Sequence, residues 1–141
     1  MEDNVWVFVC THGRFGEELM KSAEMIAGEA ENVFAFSLMP GMQPEEYRAM
    51  LEKQLEKLGD GKVLCLVDLF GGTPCTTCAI LSKTYDMQVI SGLNLAMYIE
   101  VTSQRNLRPR QELVEVGLEI LRDSGKDVIK SVSYTHLRAH E

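Results

Sequence analysis

Short apolar runs alternate with amphipathic stretches over most of the chain. Val5-Trp6-Val7-Phe8-Val9-Cys10 is continuous and rich in β-branched and aromatic residues, the pattern of a strand covered on both faces. Thr11-His12-Gly13 breaks the run. Over residues 16–27, Leu19, Met20, Ala23, Ile26 and Ala27 recur at three- and four-residue spacing, which predicts a helix, and Gly28 suits its C-terminal end. Val33 to Leu38 reads as a second strand. Met39-Pro40-Gly41-Met42-Gln43-Pro44 is a loop, with Pro44 fit for the first position of a second helix. Tyr47, Met50, Leu51, Leu55 and Leu58 give that helix its apolar stripe, and Gly59-Asp60-Gly61 ends it. Val63 to Val67 is a third strand of the buried kind. Asp68 to Pro74 is a loop, a third helix follows over about 75–84, and Met87 to Ile90 is a short fourth strand.

Strands alternating with helices imply a parallel sheet with right-handed crossovers. The expected fold is therefore α/β: an open, mostly parallel, doubly wound sheet of order 2-1-3-4 with helices on both faces. Two more helices are predicted, from Asn94 to about Gln104 and over 111–122. Val128-Ile129-Lys130-Ser131-Val132 alternates and is expected as a terminal edge strand. Residues 1–132 are read as one domain. Residues 133–141 form a tail without periodicity. Its His136 and His140 stand four apart, a spacing that serves metal binding on a helix. The tail reads more simply as a frayed or non-native terminus and carries no functional expectation.

A chain of 141 residues with 45% hydrophobic and 25% charged residues is long enough to bury a core unaided and excludes disordered or fibrous classes. The net charge of −7 speaks against sequence-independent nucleic-acid binding, which needs phosphates neutralised by Lys and Arg. The first residues, Met1-Glu2-Asp3-Asn4, are acidic where a secretory leader is basic, and no stretch approaches a membrane span. A cytoplasmic location is expected. Cys10, Cys65, Cys75 and Cys78 are then expected as reduced thiols, the first two as small core hydrophobes.

Outside the tail the chain has one histidine, His12. It follows the first strand, at the sheet edge where ligands bind in open parallel folds. Asp68 holds the same place after the third strand. In the order 2-1-3-4 those two strands are neighbours at the topological switch point, which brings His12 and Asp68 to one crevice. A carboxylate that accepts from one imidazole nitrogen fixes the tautomer and frees the other as a nucleophile. Gly71-Gly72-Thr73-Pro74 follows Asp68. Its glycines can turn backbone N–H groups inward as an anion nest, Thr73 is a natural N-cap, and Pro74 suits the first helical position. Thr11 and Gly13, flanking His12, complete the expected phosphate contacts. The Lys-Ser/Thr of a nucleotide-binding P-loop is missing, and Gly13-Arg14-Phe15-Gly16 has the wrong spacing for a dinucleotide fingerprint. The expectation is a protein phosphorylated on histidine by another protein, with no cofactor and no metal.

These segments resemble the IIA component of the mannose-type sugar phosphotransferase system. The resemblance covers about residues 5–132 and rests on four segments. They are Val9-Cys10-Thr11-His12-Gly13, Met39-Pro40-Gly41, Leu66-Val67-Asp68-Leu69-Phe70-Gly71-Gly72-Thr73-Pro74, and Ile90-Ser91-Gly92-Leu93-Asn94-Leu95-Ala96-Met97. It implies that His12 accepts phosphate from the carrier HPr and passes it to a IIB component. Sugar is then phosphorylated during uptake through a membrane IIC/IID pair. It implies that Asp68 hydrogen-bonds the active histidine and that Thr73 lies near the phosphate. It also implies a cytoplasmic homodimer that exchanges its C-terminal antiparallel strand, which Val128 to Val132 fits. The chain departs from the family pattern in two places: at Cys75-Thr76 after Pro74, and at Ala96 before Met97.

Other readings remain at this point. Cys75-Thr76-Thr77-Cys78 is a C-x-x-C at a helix start, as in dithiol oxidoreductases, although two βα units precede it. A structural zinc site would need a second close cysteine pair. A histidine-type phosphatase would need Arg before the histidine and a second mid-chain histidine, where Thr11 stands and none follows. A regulator that keeps the fold and reads phosphorylation, and a phosphocarrier for a dihydroxyacetone kinase system, complete the alternatives.

Overall fold

The computed structural model of the chain describes residues 4–131. The core of the fold is four strands, β1 (Val5–His12), β2 (Val33–Leu38), β3 (Lys62–Val67) and β4 (Met87–Ser91). They form one parallel sheet in the order β2-β1-β3-β4. The helices are α1 (Phe15–Ala27), α2 (Pro44–Leu58), α3 (Thr73–Leu81), α4 (Leu95–Gln104), α5 (Arg110–Asp123) and α6 (Val128–Ser131).

The chain moves from β1 outward to β2, then returns past β1 to β3 and β4. With right-handed crossovers, that reversal sends α1 to one face and α2 and α3 to the other. Alternate residues of each strand serve the two faces. Val5, Val7 and Val9 of β1 and Leu64 and Leu66 of β3 pack with Leu19 and Ala23 of α1, Met97 and Val101 of α4 and Leu113 of α5. Phe8, Cys10, Val63, Cys65 and Val67 pack with Tyr47, Leu51 and Leu55 of α2 and Cys78 and Leu81 of α3. Each fully buried side chain of this size contributes about 1.5–3 kcal/mol by leaving water.

The helix ends follow local chemistry. Gln43 and Glu46 form a reciprocal capping box ahead of α2, with Pro44 at its first position. Asn94 accepts the Met97 N–H and caps α4. Gly28 closes α1 at φ +81°, where a side chain would be strained.

Three expectations are corrected. The first strand runs on through Thr11 and His12 instead of ending at Cys10, because their backbones stay in register with Ser37 and Leu38 of β2. The third helix starts at Thr73, not near Cys75. Residues Val128–Ser131 form a helical turn, not an edge strand. Asp127 accepts the Lys130 N–H through Oδ1 at 3.3 Å and the Ser131 N–H through its carbonyl at 3.0 Å, which starts a helix locally. A strand there would need a sheet edge to pair with, and among the described residues all four strands are parallel. Val132 and the tail 133–141, with His136 and His140, lie outside the described residues.

Candidate functional site

His12 is the last residue of β1, and Asp68 follows the last residue of β3. Adjacent parallel strands place both at the C-terminal edge of the sheet. Asp68 Oδ2 accepts the backbone N–H of His12 at 2.9 Å and lies 2.9 Å from His12 Nδ1. An ionised carboxylate only accepts, so the neutral imidazole carries its proton on Nδ1 and has its lone pair on Nε2. The His12 side chain is 46% exposed and that of Asp68 14%. The nucleophile is thus open to a partner while its orienting group is sheltered. The second carboxylate oxygen, Asp68 Oδ1, is buried with no hydrogen-bond partner. All of the orienting contact therefore runs through Oδ2.

Strand alternation decides which neighbours share the site. His12 has the parity of Phe8 and Cys10 and emerges on the face of α2 and α3. Thr11 has the parity of Val9 and turns to the α1 face. There its hydroxyl is buried, accepts the Gly16 N–H at 2.9 Å and donates to the Gly13 carbonyl at 3.3 Å. Of the expected phosphate contacts, Thr11 has its side chain bracing the turn that carries His12. Gly13 adopts φ +56°, and its N–H donates to the Leu38 carbonyl at 2.8 Å. That amide is committed to the edge of β2, so Gly13 serves the turn as well.

The loop after Asp68 reaches the imidazole through Gly72. A Cβ built on Gly72 would stand 2.7 Å from His12 Cε1 and 3.2 Å from Nε2. The ring edge that carries the free nitrogen therefore lies against the loop, with no space for a side chain. Gly72 is the N-cap of α3, with Thr73 and Pro74 at the first two helical positions. Thr73 was expected as the cap and is displaced by one residue, because the cap must sit against the His12 ring. Gly71 turns the chain at φ +87°, a conformation glycine adopts without strain. The Thr73 and Cys75 N–H groups belong to the first helical turn, where no intrahelical carbonyl is available. Such a terminus favours anions.

Some features are not legible from motifs. Phe70 is 84% exposed and Leu69 60%, so two large apolar side chains project from the loop between Asp68 and Gly71. Phe15, at the start of α1, is also exposed. Beside the loop lies a cleft of about 240 Å³ lined in part by Arg48, Gly71, Thr73, Thr76 and Thr77. Their signal in the sequence is only that Leu69 and Phe70 fall in a loop that has no core to enter. Cys75 is half-buried at the third position of α3, while Cys78 is buried with its Sγ 3.6 Å from Cys10 Sγ. The second cysteine of the C-x-x-C motif thus contacts a thiol on β1. Among the described residues no group of His, Cys, Asp and Glu is arranged to hold a metal ion. Nor is any helix there long and apolar enough to cross a membrane.

The fold and these motifs have known counterparts. The structure is similar to a phosphotransferase system component EIIA from Streptococcus agalactiae, with TM-score 0.83 and 29% identity over 89% of this chain and 98% of that one. It is also similar to a mannose/sorbose specific IIA subunit from Enterococcus faecalis, with TM-score 0.82 and 31% identity over 87% of this chain and 93% of that one. In sequence it is 36% identical to the PTS system fructose-specific EIIA component of Bacillus subtilis, across 70% of this chain and 69% of that protein. It is 37% identical over 123 residues to the PTS system mannose-specific EIIAB component of Escherichia coli strain K12. That match spans 85% of this chain but only 38% of the longer relative. The model of the family described as PTS system fructose IIA component matches residues 6–116. With the switch-point histidine, its aspartate and the glycine loop inside that span, the chain belongs to the mannose/fructose/sorbose IIA family of sugar phosphotransferase systems.

Proposed function

We propose that the chain is a phosphohistidine carrier of a sugar phosphotransferase system. It receives phosphate on His12 from HPr and delivers it to a IIB component, for sugar uptake through a membrane IIC/IID pair. The observation that carries this reading is the 2.9 Å contact between His12 Nδ1 and Asp68 Oδ2 beside a loop with anion-binding character. Membership of the family supports the general transferase role.

The chemistry follows from the geometry. The Nε2 lone pair attacks the phosphorus of phosphorylated HPr. The N–P bond to the donor breaks, and the donor imidazole keeps that electron pair. His12 gains positive charge as the new bond forms, and Asp68 opposite Nδ1–H stabilises it. The first-turn N–H groups and the Thr73 hydroxyl are assigned to the transferring phosphoryl oxygens, with Gly71 and Gly72 shaping the loop around them. Reversal toward the IIB nucleophile regenerates neutral His12. The exposed Phe70 and Leu69 offer apolar contact area to docking partners next to the reacting nitrogen. The same reading has the protein work in the cytoplasm as a homodimer, without a cofactor and without nucleic acid. Size measurement in solution checks the dimer.

The test is transfer itself. The chain is incubated with phosphoenolpyruvate, Enzyme I and HPr, then followed by intact mass and peptide mapping. One acid-labile phosphate on the His12 peptide is expected, and none on His12→Ala. Phosphate on another residue, or none with active partners, overturns the reading.

A further inference from the structure

Beneath His12, the α2–α3 side of the sheet carries three buried thiols on three elements: Cys10 on β1, Cys65 on β3 and Cys78 on α3. Cys10 Sγ and Cys78 Sγ are 3.6 Å apart. In the strand register Cys10 pairs with Val67 and Phe8 with Cys65, so Cys10 and Cys65 are diagonal neighbours on one face. The Cys78 thiol donates to Cys10 Sγ and also interacts with Cys65. Burial pushes the Cys10 and Cys65 thiols up, whereas the side-chain interactions of Cys78 with both hold its thiol lower. Two sulfurs in contact are the arrangement in which one, once ionised, meets an oxidant and the other resolves it. The phosphocarrier chemistry uses none of the three.

We propose that Cys10 and Cys78 are a redox modification site that takes a small hydroperoxide and closes to a reversible disulfide. The Cys78 thiolate attacks one peroxide oxygen, the O–O bond breaks, and hydroxide leaves, giving a sulfenic acid. Hydroxide removes the Cys10 proton. The Cys10 sulfur then attacks the Cys78 sulfur, the S–S bond forms and a second hydroxide leaves. With the protons counted, two thiols are oxidised and hydrogen peroxide is reduced to two waters.

The site is coupled to His12 from both sides. His12 is two residues beyond Cys10 on β1, and Gly72 caps the nine-residue helix that carries Cys78. Closing the sulfurs from 3.6 Å to a bond of about 2.05 Å draws α3 toward β1. Gly72 already leaves no room against the His12 ring, so the ring must shift with it. Oxidant reaches the buried pair by local opening of α3, a short element beside the exposed Leu69–Phe70 loop. The half-buried Cys75 on the same helix is the competing target.

The test treats the full chain with stoichiometric hydrogen peroxide, alkylates the remaining thiols, and maps peptides without reduction. A Cys10–Cys78 cross-link is expected, reversed by dithiothreitol. Cys75→Ser should keep it. Cys78→Ser, and Cys78→Ala as a second variant should serine not fold in the core, should lose it. Oxidation confined to Cys75, a Cys75–Cys78 link, or no loss of two hydrogens overturns the site. The effect on transfer rests on the phosphocarrier reading: cross-linked protein should accept phosphate about tenfold more slowly, as a displaced reacting group does, with recovery on reduction. An unchanged rate overturns the coupling. A reduced chain that never accepts phosphate overturns the carrier reading instead, and the cross-link is scored independently of it.

Discussion

The two faces of the sheet are built from the same strands and differ in kind. On the α1 side the strand residues are Val5, Val7, Val9, Leu64 and Leu66, an aliphatic set. On the α2–α3 side they are Phe8, Cys10, Val63, Cys65 and Val67, with Tyr47 and Cys78 from the helices. The last two residues of β1 continue the division. Thr11 goes to the aliphatic face and is buried as a brace, while His12 goes to the other and stands at the open edge. One residue of chain separates a stability role from a chemical one. Period-two alternation, not proximity in sequence, therefore selects the residues that can meet a phosphate.

That division can be broken most severely at His12. His12→Ala should abolish phosphate acceptance in the HPr-coupled assay while leaving the thermal midpoint close to that of the parent, since the side chain is exposed. A large loss of stability would place His12 on the structural side of the comparison. Asp68→Asn keeps the shape and removes the charge that selects the Nδ1–H tautomer. Transfer to His12 should slow by about 10²–10⁴-fold, the range of positioned proton-handling groups; an unchanged rate would show that Asp68 does not orient the ring.

Gly72→Ala adds one methyl carbon 2.7 Å from His12 Cε1. The ring must move, and transfer should fall by about 10–100-fold, as a displacement near 1 Å costs. Rapid-quench kinetics with circular dichroism would separate that loss from unfolding. Thr11→Val should do the reverse. It leaves the buried Gly16 N–H without its acceptor, at a cost of about 1–3 kcal/mol in stability by urea denaturation. The rate per folded molecule should change least of the four. If Thr11→Val instead removed transfer from a stable protein, the two-face division would fail.

Much of this was legible in the sequence because the relevant signals are local. The apolar runs from Val5, Val33 and Val63 marked the strands. Pro44 marked the start of α2, and the strand–helix alternation set the sheet order that brings His12 to Asp68. What was not legible depended on neighbours distant in the chain. The end of β1 is held by pairing with Ser37 and Leu38, which hydrophobicity at Thr11 and His12 does not encode. The cap of α3 is Gly72 instead of Thr73 because the His12 ring fills the space a side chain would need. The meeting of Cys10, Cys65 and Cys78 follows from register and helix placement, not from the C-x-x-C spacing. Val128–Ser131 has a five-residue alternation with Val132 that fits a strand, yet the local Asp127 contacts fold it as a helical turn.

The central claim is that Asp68 holds the Nδ1 edge of His12 and leaves Nε2 as the phosphate acceptor. Nitrogen-15 labelling of the histidines, followed by NMR of the chain phosphorylated through HPr, reads the bonded nitrogen directly from its coupling to phosphorus. The account predicts phosphate on His12 Nε2, with Nδ1 still protonated and facing Asp68. Phosphate on Nδ1, or on any residue other than His12, would contradict it.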